Sequence, residues 1–364
     1  MDEKVLISKS ILSGIAESLR VKMSTTETFA PVRMSSAILD IPTGEIDMTL
    51  PQIMDKTISS ITNSYITTVK EYTFSGCSRL TYVDLPNCSQ IGSSAFAYCK
   101  TLQYVNIPNV QYIFSSAFYW DDRLGPNLSF PECLRIDTAA FGLCSRMESI
   151  YLPVVNTIDK NAFDRCDALK NIYMPKCTVI GDAAFYSCKG LKSVTLEGIG
   201  LSLRPYAFSN CINLEEFYGP NLVSIGNQAF YNCAKLRILS VPNCTYCYGP
   251  FDLNMSSLKE LDLPKLSSVH YLSNYYIERI RLGSTKLSFG GYCFRYCSRL
   301  TRLELPNIQT VPNFGTAMFS GTAMENSTWA GKFGSIYVPA SLVDAMKTAP
   351  SWSTFADRIT AFEE

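Results

Sequence analysis

Large apolar residues return along this chain at intervals of 21 to 23 residues, most visibly as Phe74, Phe96, Phe118, Phe141, Phe163, Phe185, Phe208, Phe230 and Phe251. A return at that interval marks a stack of coils, because one coil cannot bury its apolar face alone and must pack on its neighbours. Around each phenylalanine the same phrase repeats. Ile91-Gly92, Ala95-Phe96, Cys99, Leu102, Val105 and Ile107-Pro108-Asn109 come back as Ile180-Gly181, Ala184-Phe185, Cys188, Leu191, Val194 and Leu196.

Two elements are predicted in each coil. The Leu-x-x-Val-x-Leu run, as in Leu169-Lys170-Asn171-Ile172-Tyr173-Met174, alternates as a half-buried β-strand does. Proline follows it directly at Pro86, Pro108, Pro153, Pro175, Pro242, Pro264 and Pro306. Lacking an N–H and restricting the residue before it, proline ends the strand and turns the chain away. The three-residue spacing of phenylalanine and cysteine in Ala-Phe-x-x-Cys predicts a short helical or 3-10 turn with both side chains inward. The rings are expected to stack as a spine, and Gly92, Gly181 and Gly226 to permit a tight bend or a positive φ. A period of about 20 to 29 residues with spaced leucines reads as a leucine-rich solenoid. The expected fold is therefore an α/β solenoid: a right-handed leucine-rich repeat with a concave parallel β-sheet and short helical or 3-10 turns on the convex side.

Two coils depart from the phrase. Near Trp120-Asp121-Asp122-Arg123-Leu124-Gly125-Pro126, Asp121 replaces the cysteine and a residue is added, which predicts a bulge. Near Tyr271-Leu272-Ser273-Asn274-Tyr275-Tyr276, Leu272 takes the phenylalanine position and the turn is shortened. Such exceptions are either tolerated irregularities or places shaped for a ligand.

The two ends of the chain do not follow the period. Residues 1–45 read as a small helical N-terminal module, with apolar positions 11, 12, 15, 16 and 19 in amphipathic spacing and a second short helix after Pro31. Residues 46–330 form the solenoid. Residues 331–364, with the strand Ser335–Val338 and then Trp352, Phe355 and Ile359, are expected to cap its open end.

Composition narrows the possible partners. The 32 basic and 32 acidic residues balance, so no overall field draws the chain to nucleic acid or an anionic membrane. No apolar run is long enough to span a bilayer, and membrane insertion is not expected. Met1-Asp2-Glu3-Lys4-Val5-Leu6 lacks the apolar stretch of a signal peptide, so Sec-type export is not indicated.

Of the 14 cysteines, Cys77, Cys99, Cys144, Cys166, Cys188, Cys211 and Cys233 lie three residues after the repeat phenylalanine, and Cys88, Cys177 and Cys244 share a second register. Recurrence in register assigns them to packing as reduced thiols, with disulfides or metal as the alternative. Cys244-Thr245-Tyr246-Cys247 has the gap of a zinc knuckle but no nearby partner pair, and His270 stands alone. No catalytic motif, metal site or cofactor is expected.

The phrase Ile-Gly-x-x-Ala-Phe-x-x-Cys-x-x-Leu-x-x-Val-x-Leu-Pro resembles the BspA-like, Treponema pallidum-type leucine-rich repeats over about residues 60–325, and Ile336-Tyr337-Val338-Pro339 with Pro350 and Trp352 resembles their C-terminal ending. The resemblance implies a bacterial surface or secreted protein that adheres to host proteins or other cells. Ile15-Ala16-Glu17-Ser18-Leu19-Arg20-Val21-Lys22 and Phe29-Ala30-Pro31-Val32-Arg33-Met34-Ser35-Ser36-Ala37-Ile38 resemble a short module of structural and tail-associated proteins of phages and prophages of Gram-positive bacteria, departing from it at Met23. That likeness implies a virion-associated location as the alternative to the cell surface.

Residues flanking the inward Val or Ile of each strand should face solvent. Tyr82, Tyr104, Asn106, Tyr151, Tyr173 and Tyr218 form the candidate binding face, while later strands turn charged at Glu260, Asp262, Arg279, Arg281, Arg302 and Glu304. Tyrosine there is either a good strand former on a solvated sheet or a recognition surface of rigid amphipathic area. The expected partners are a protein or a cell-surface glycan, with phage tail components if the chain is a structural or assembly part that uses the solenoid as a spacer.

Overall fold

The computed structural model describes residues 55–251, 255–313, 315–325 and 333–363; the helical N-terminal module expected at 1–45 lies outside them. The described residues form a parallel β-solenoid. Strands of two to four residues alternate between two faces of the coils, and within each sheet a strand pairs with its counterpart in the next coil.

The Leu-x-x-Val-x-Leu strands form where the alternation predicts them, for example Tyr82–Asp84, Ser149–Tyr151 and Glu216–Tyr218, but they do not form one ladder. They divide into three sheets of three strands and one of five. The first break falls between Tyr104–Asn106 and Asn127–Ser129, at the coil with the added residue around Trp120. The unbroken ladder runs elsewhere. Eleven strands, from Thr68–Val69 through Gln90–Ile91 to Ser288–Phe289, pair in sequence along the Ile-Gly side of the coil.

The Ala-Phe-x-x-Cys segments are not helical. Each is a run of tight turns in which the residues two before and two after the phenylalanine are left-handed: Ser94 and Tyr98 around Phe96, Asn161 and Arg165 around Phe163, Tyr292 and Tyr296 around Phe294. Every second amide is thereby turned along the stack. Phe96 N–H donates to Ala117 O at 2.8 Å in the next coil, and Cys99 N–H back to Phe96 O at 3.1 Å within the turn. A 3-10 turn would direct all of these bonds inside the coil; here half of them join neighbouring coils.

The core is a column between these ladders. Eight rings from Phe74 to Phe230 stack at centroid spacings of 5.1 to 6.1 Å. Beside them Cys99, Cys144, Cys166, Cys188, Cys211 and Cys233 donate their S–H to the phenylalanine carbonyl of the preceding coil at 3.1 to 3.2 Å. Cys88, Cys133, Cys177 and Cys244 use the carbonyl two residues ahead, at 3.2 to 3.4 Å. Burial raises the thiol pKa at both sets, to about 11 at Cys88 and about 12 at Cys211, so they are neutral donors at physiological pH.

Gly92, Gly181 and Gly226 do not adopt a positive φ. They are required for close approach: a Cβ on Gly92 would lie 2.6 Å from the backbone nitrogen of Glu71 in the preceding coil. At the far end Ser335–Val338 and Ile359–Ala361 extend the last sheet, and the short helix Val343–Thr348 lies between them in sequence. Trp352 is buried, with its indole N–H on Pro312 O at 2.6 Å and its ring edge-on to Phe289 and Phe319.

Candidate functional site

The strand face carries two rows of outward side chains, one on each side of the inward Val or Ile. Tyr82 and Tyr104 occupy the row before it and are direct cross-strand partners, their rings stacked at 4.7 Å. Asp84 and Asn106 lie opposite each other in the row after it, joined by a 2.8 Å bond from Asn106 Nδ2 to Asp84 Oδ1. Tyr104 is 48% exposed. Burial and the neighbouring Asp84 raise the phenol pKa of both tyrosines, which keeps them protonated hydrogen-bond donors.

Tyr151 and Tyr173 also stack, at 5.0 Å and nearly parallel, but they stand in the other row and in the next sheet. Tyr218, in a third sheet, pairs across the strand with Thr195 and donates to Glu216 Oε2 at 3.2 Å. Burial and Glu216 raise its pKa. The six residues expected on one patch are therefore two stacked tyrosine pairs, Asn106 tied to Asp84 beside the first pair, and a separate tyrosine. The change of row between Tyr104 and Tyr151 falls across the irregular coil at Trp120.

The charged end of the same face holds a feature the sequence did not signal. Glu304 is 0% exposed, yet it is covered by guanidinium groups and not sunk in the apolar core. Arg279 donates to it through Nε and Nη2, both at 3.0 Å, and Arg302 through its Nε. Burial alone would raise the Glu304 pKa, but the bonds from Arg279 and Arg302 outweigh it and hold the carboxyl below its usual value. Only residue spacing in three dimensions reveals this, since Arg279 and Glu304 are 25 positions apart.

A second set of exposed aromatics lies on the turn segments at the left-handed positions: Tyr72, Tyr98, Trp120, Tyr206, Tyr292 and Tyr296. Their constant offset of two from the phenylalanine was the available signal. Among the described residues no group of three His, Cys, Asp or Glu is placed to hold a metal ion, and no described helix is long and apolar enough to cross a membrane.

A parallel solenoid with this phrase in most of its coils is a leucine-rich repeat scaffold. The repeat region matches the family described as BspA type leucine rich repeat region over residues 54–170, 116–237, 178–287 and 253–340, and the chain belongs to that family. Solved structures similar to it include a leucine-rich repeat protein from Bacteroides ovatus, 18% identical, covering 85% of each chain with a TM-score of 0.46. A leucine rich cell surface protein from Faecalibacterium prausnitzii is 21% identical, covering 68% of this chain and 78% of that one, with a TM-score of 0.38. The T. pallidum leucine rich repeat protein is 24% identical, covering 47% of this chain and 72% of that one, with a TM-score of 0.35. No curated protein matches the chain.

Proposed function

We propose that the chain is a non-catalytic binding protein that recognises a protein or cell-surface glycan through its strand face in cell-surface adhesion or host attachment. The observation that carries this reading is the pair of stacked tyrosine couples, Tyr82 with Tyr104 and Tyr151 with Tyr173, on strands whose intervening residues pack inward. Stacking fixes the rings before a ligand arrives, so little rotamer freedom remains to be lost on contact. In this reading the solenoid winds right-handed, the strand face is concave, residues 331–364 close its end, and residues 1–45 join it to a larger assembly.

Screening the protein against glycans and bacterial surface extracts, then measuring the affinity of the captured ligand, tests the assignment. Replacing Tyr104, Tyr151 and Tyr173 together by alanine should weaken binding by ~1 to 3 kcal/mol with a much smaller change in stability. Unaltered affinity would remove the binding function from this face.

A further inference from the structure

The phenylalanine spine is interrupted once among the described residues. Phe230 and Phe294 belong to continuous stacks, but between them stand Phe251 and Leu272, and the coil at Leu272 has the shortened turn. At that interruption the turn side of the solenoid opens into a cleft of about 510 Å³. Its walls are Asn227 and Gln228 on one side and Tyr271, Tyr292, Arg295 and Tyr296 on the other, with Phe251 among the lining residues. The volume falls in the range of small-ligand sites, about 300 to 1,000 Å³.

The charge in the cleft is unusual for this molecule. Arg295 holds its guanidinium over Tyr292 at 5.1 Å and over Tyr296 at 4.5 Å. Its Nε is buried and has no hydrogen-bond partner, and Arg295 makes no ion pair with a described residue. None of the described lining residues is acidic. A second cleft on the same ridge, beside Trp120, is different: there Lys189 is paired with Asp167 at 3.2 Å and Arg165 lies 3.9 Å from Asp164. Of these two clefts, the one at the interrupted spine holds a guanidinium braced by two rings and not ion-paired to a described residue.

We infer that this cleft is a binding site for a saccharide unit bearing a carboxylate. Three features select that chemistry. A planar guanidinium braced by two rings presents paired N–H donors to a carboxylate. Tyr271 and Tyr292, both exposed, offer ring faces to the apolar C–H face of a pyranose. The side-chain amides of Asn227 and Gln228 supply both donors and acceptors for ring hydroxyls. The site lies on the turn segments and not on the strand face, so it is separate from the tyrosine couples there.

The test is titration of the full chain by calorimetry with a galacturonate oligosaccharide and with sialyllactose, using the methyl-esterified galacturonate and lactose as neutral counterparts. At least one acidic sugar should bind at least about tenfold more tightly than its neutral partner, a factor of about 1.4 kcal/mol. Arg295→Gln should abolish that preference, and Tyr271→Leu, on an exposed ring, should weaken binding of the same sugar; thermal melts establish that both variants fold. The Tyr104, Tyr151 and Tyr173 triple variant should bind these sugars as the parent does. Equal affinity for acidic and neutral sugars, absence of binding to either, or retention of the preference in Arg295→Gln overturns the assignment. So does saturation of the cleft by a glutamate-rich peptide in place of the sugars.

Discussion

Asp121 stands where neighbouring coils have cysteine, and the exchange has a calculable effect on stability. At that position a thiol donates to the phenylalanine carbonyl of the preceding coil, as Cys99 does to Phe74 O at 3.1 Å. Asp121 is 0% exposed; its Oδ1 accepts Cys99 N–H at 2.7 Å, and its Oδ2 has no partner. A buried oxygen left unsatisfied costs about 1 to 3 kcal/mol. Restoring cysteine removes that oxygen and supplies an S–H for Phe96 O. The lost acceptor for Cys99 N–H matters little, because the same amide is 3.1 Å from Phe96 O. Asp121→Cys should therefore stabilise the protein by ~1 to 2 kcal/mol at neutral pH.

The pH dependence separates this cause from a general packing gain. Burial raises the Asp121 pKa well above its ordinary value of 3.8, so near neutrality the unfolded state ionises more readily than the folded one. That penalty is absent below 3.8, where both states hold the proton, and grows as pH rises towards the folded pKa. Denaturant melts of parent and variant at about pH 7 and about pH 3.5 measure the difference. The advantage of Asp121→Cys should be larger at the higher pH, and Asp121→Asn should show the same trend. A variant no more stable than the parent at neutral pH, or an advantage that grows on acidification, would refute the reasoning.

Phe185 lies between Phe163 and Phe208 at 5.1 Å on each side, and Phe185→Ala should destabilise by roughly 3 to 5 kcal/mol in the same melts; a loss below ~1 kcal/mol would show that the ring is not load-carrying core. The Glu304 pKa is lowered from 4.5, so its contribution is complete above 4.5 and is lost as pH falls through the folded value; Glu304→Gln should be less stable than the parent near neutrality, with the gap closing on acidification. The 14 buried, unpaired cysteines should resist a thiol reagent in the native protein and all react after denaturation without reductant, a result that a count of six or fewer would contradict.

Much of the fold was legible because its core is written in one residue type at one interval. Each of the eight repeat phenylalanines from Phe74 to Phe230 is buried, and the strands predicted from alternation form around Val83, Ile150 and Phe217. The continuous ladder was not legible, because a strand such as Gln90–Ile91 has too few residues to display a period of two. The left-handed turns were hidden for a different reason: Tyr98, Trp120 and Arg165 hold positive φ without being glycine, and inter-coil hydrogen bonds compensate for what their own preferences oppose. For the candidate site, solvent-facing positions could be read from strand parity. The row each tyrosine occupies, before or after the inward residue, is likewise written in the sequence, but the division of the face into separate sheets at the irregular coil is not.

The three parallel sets of inter-coil bonds, on the strand side, the Ile-Gly side and the phenylalanine turns, all point along the stack and have a mechanical consequence. A pull on the two ends of the described solenoid opens each coil's bonds as it is peeled from the next, so load falls on one interface at a time. Each released coil of 21 to 23 residues adds roughly 75 Å of extended chain. Tension between an anchored end and a bound partner would thus be relieved in steps of that length, leaving the remaining coils folded and able to close again when the load is removed.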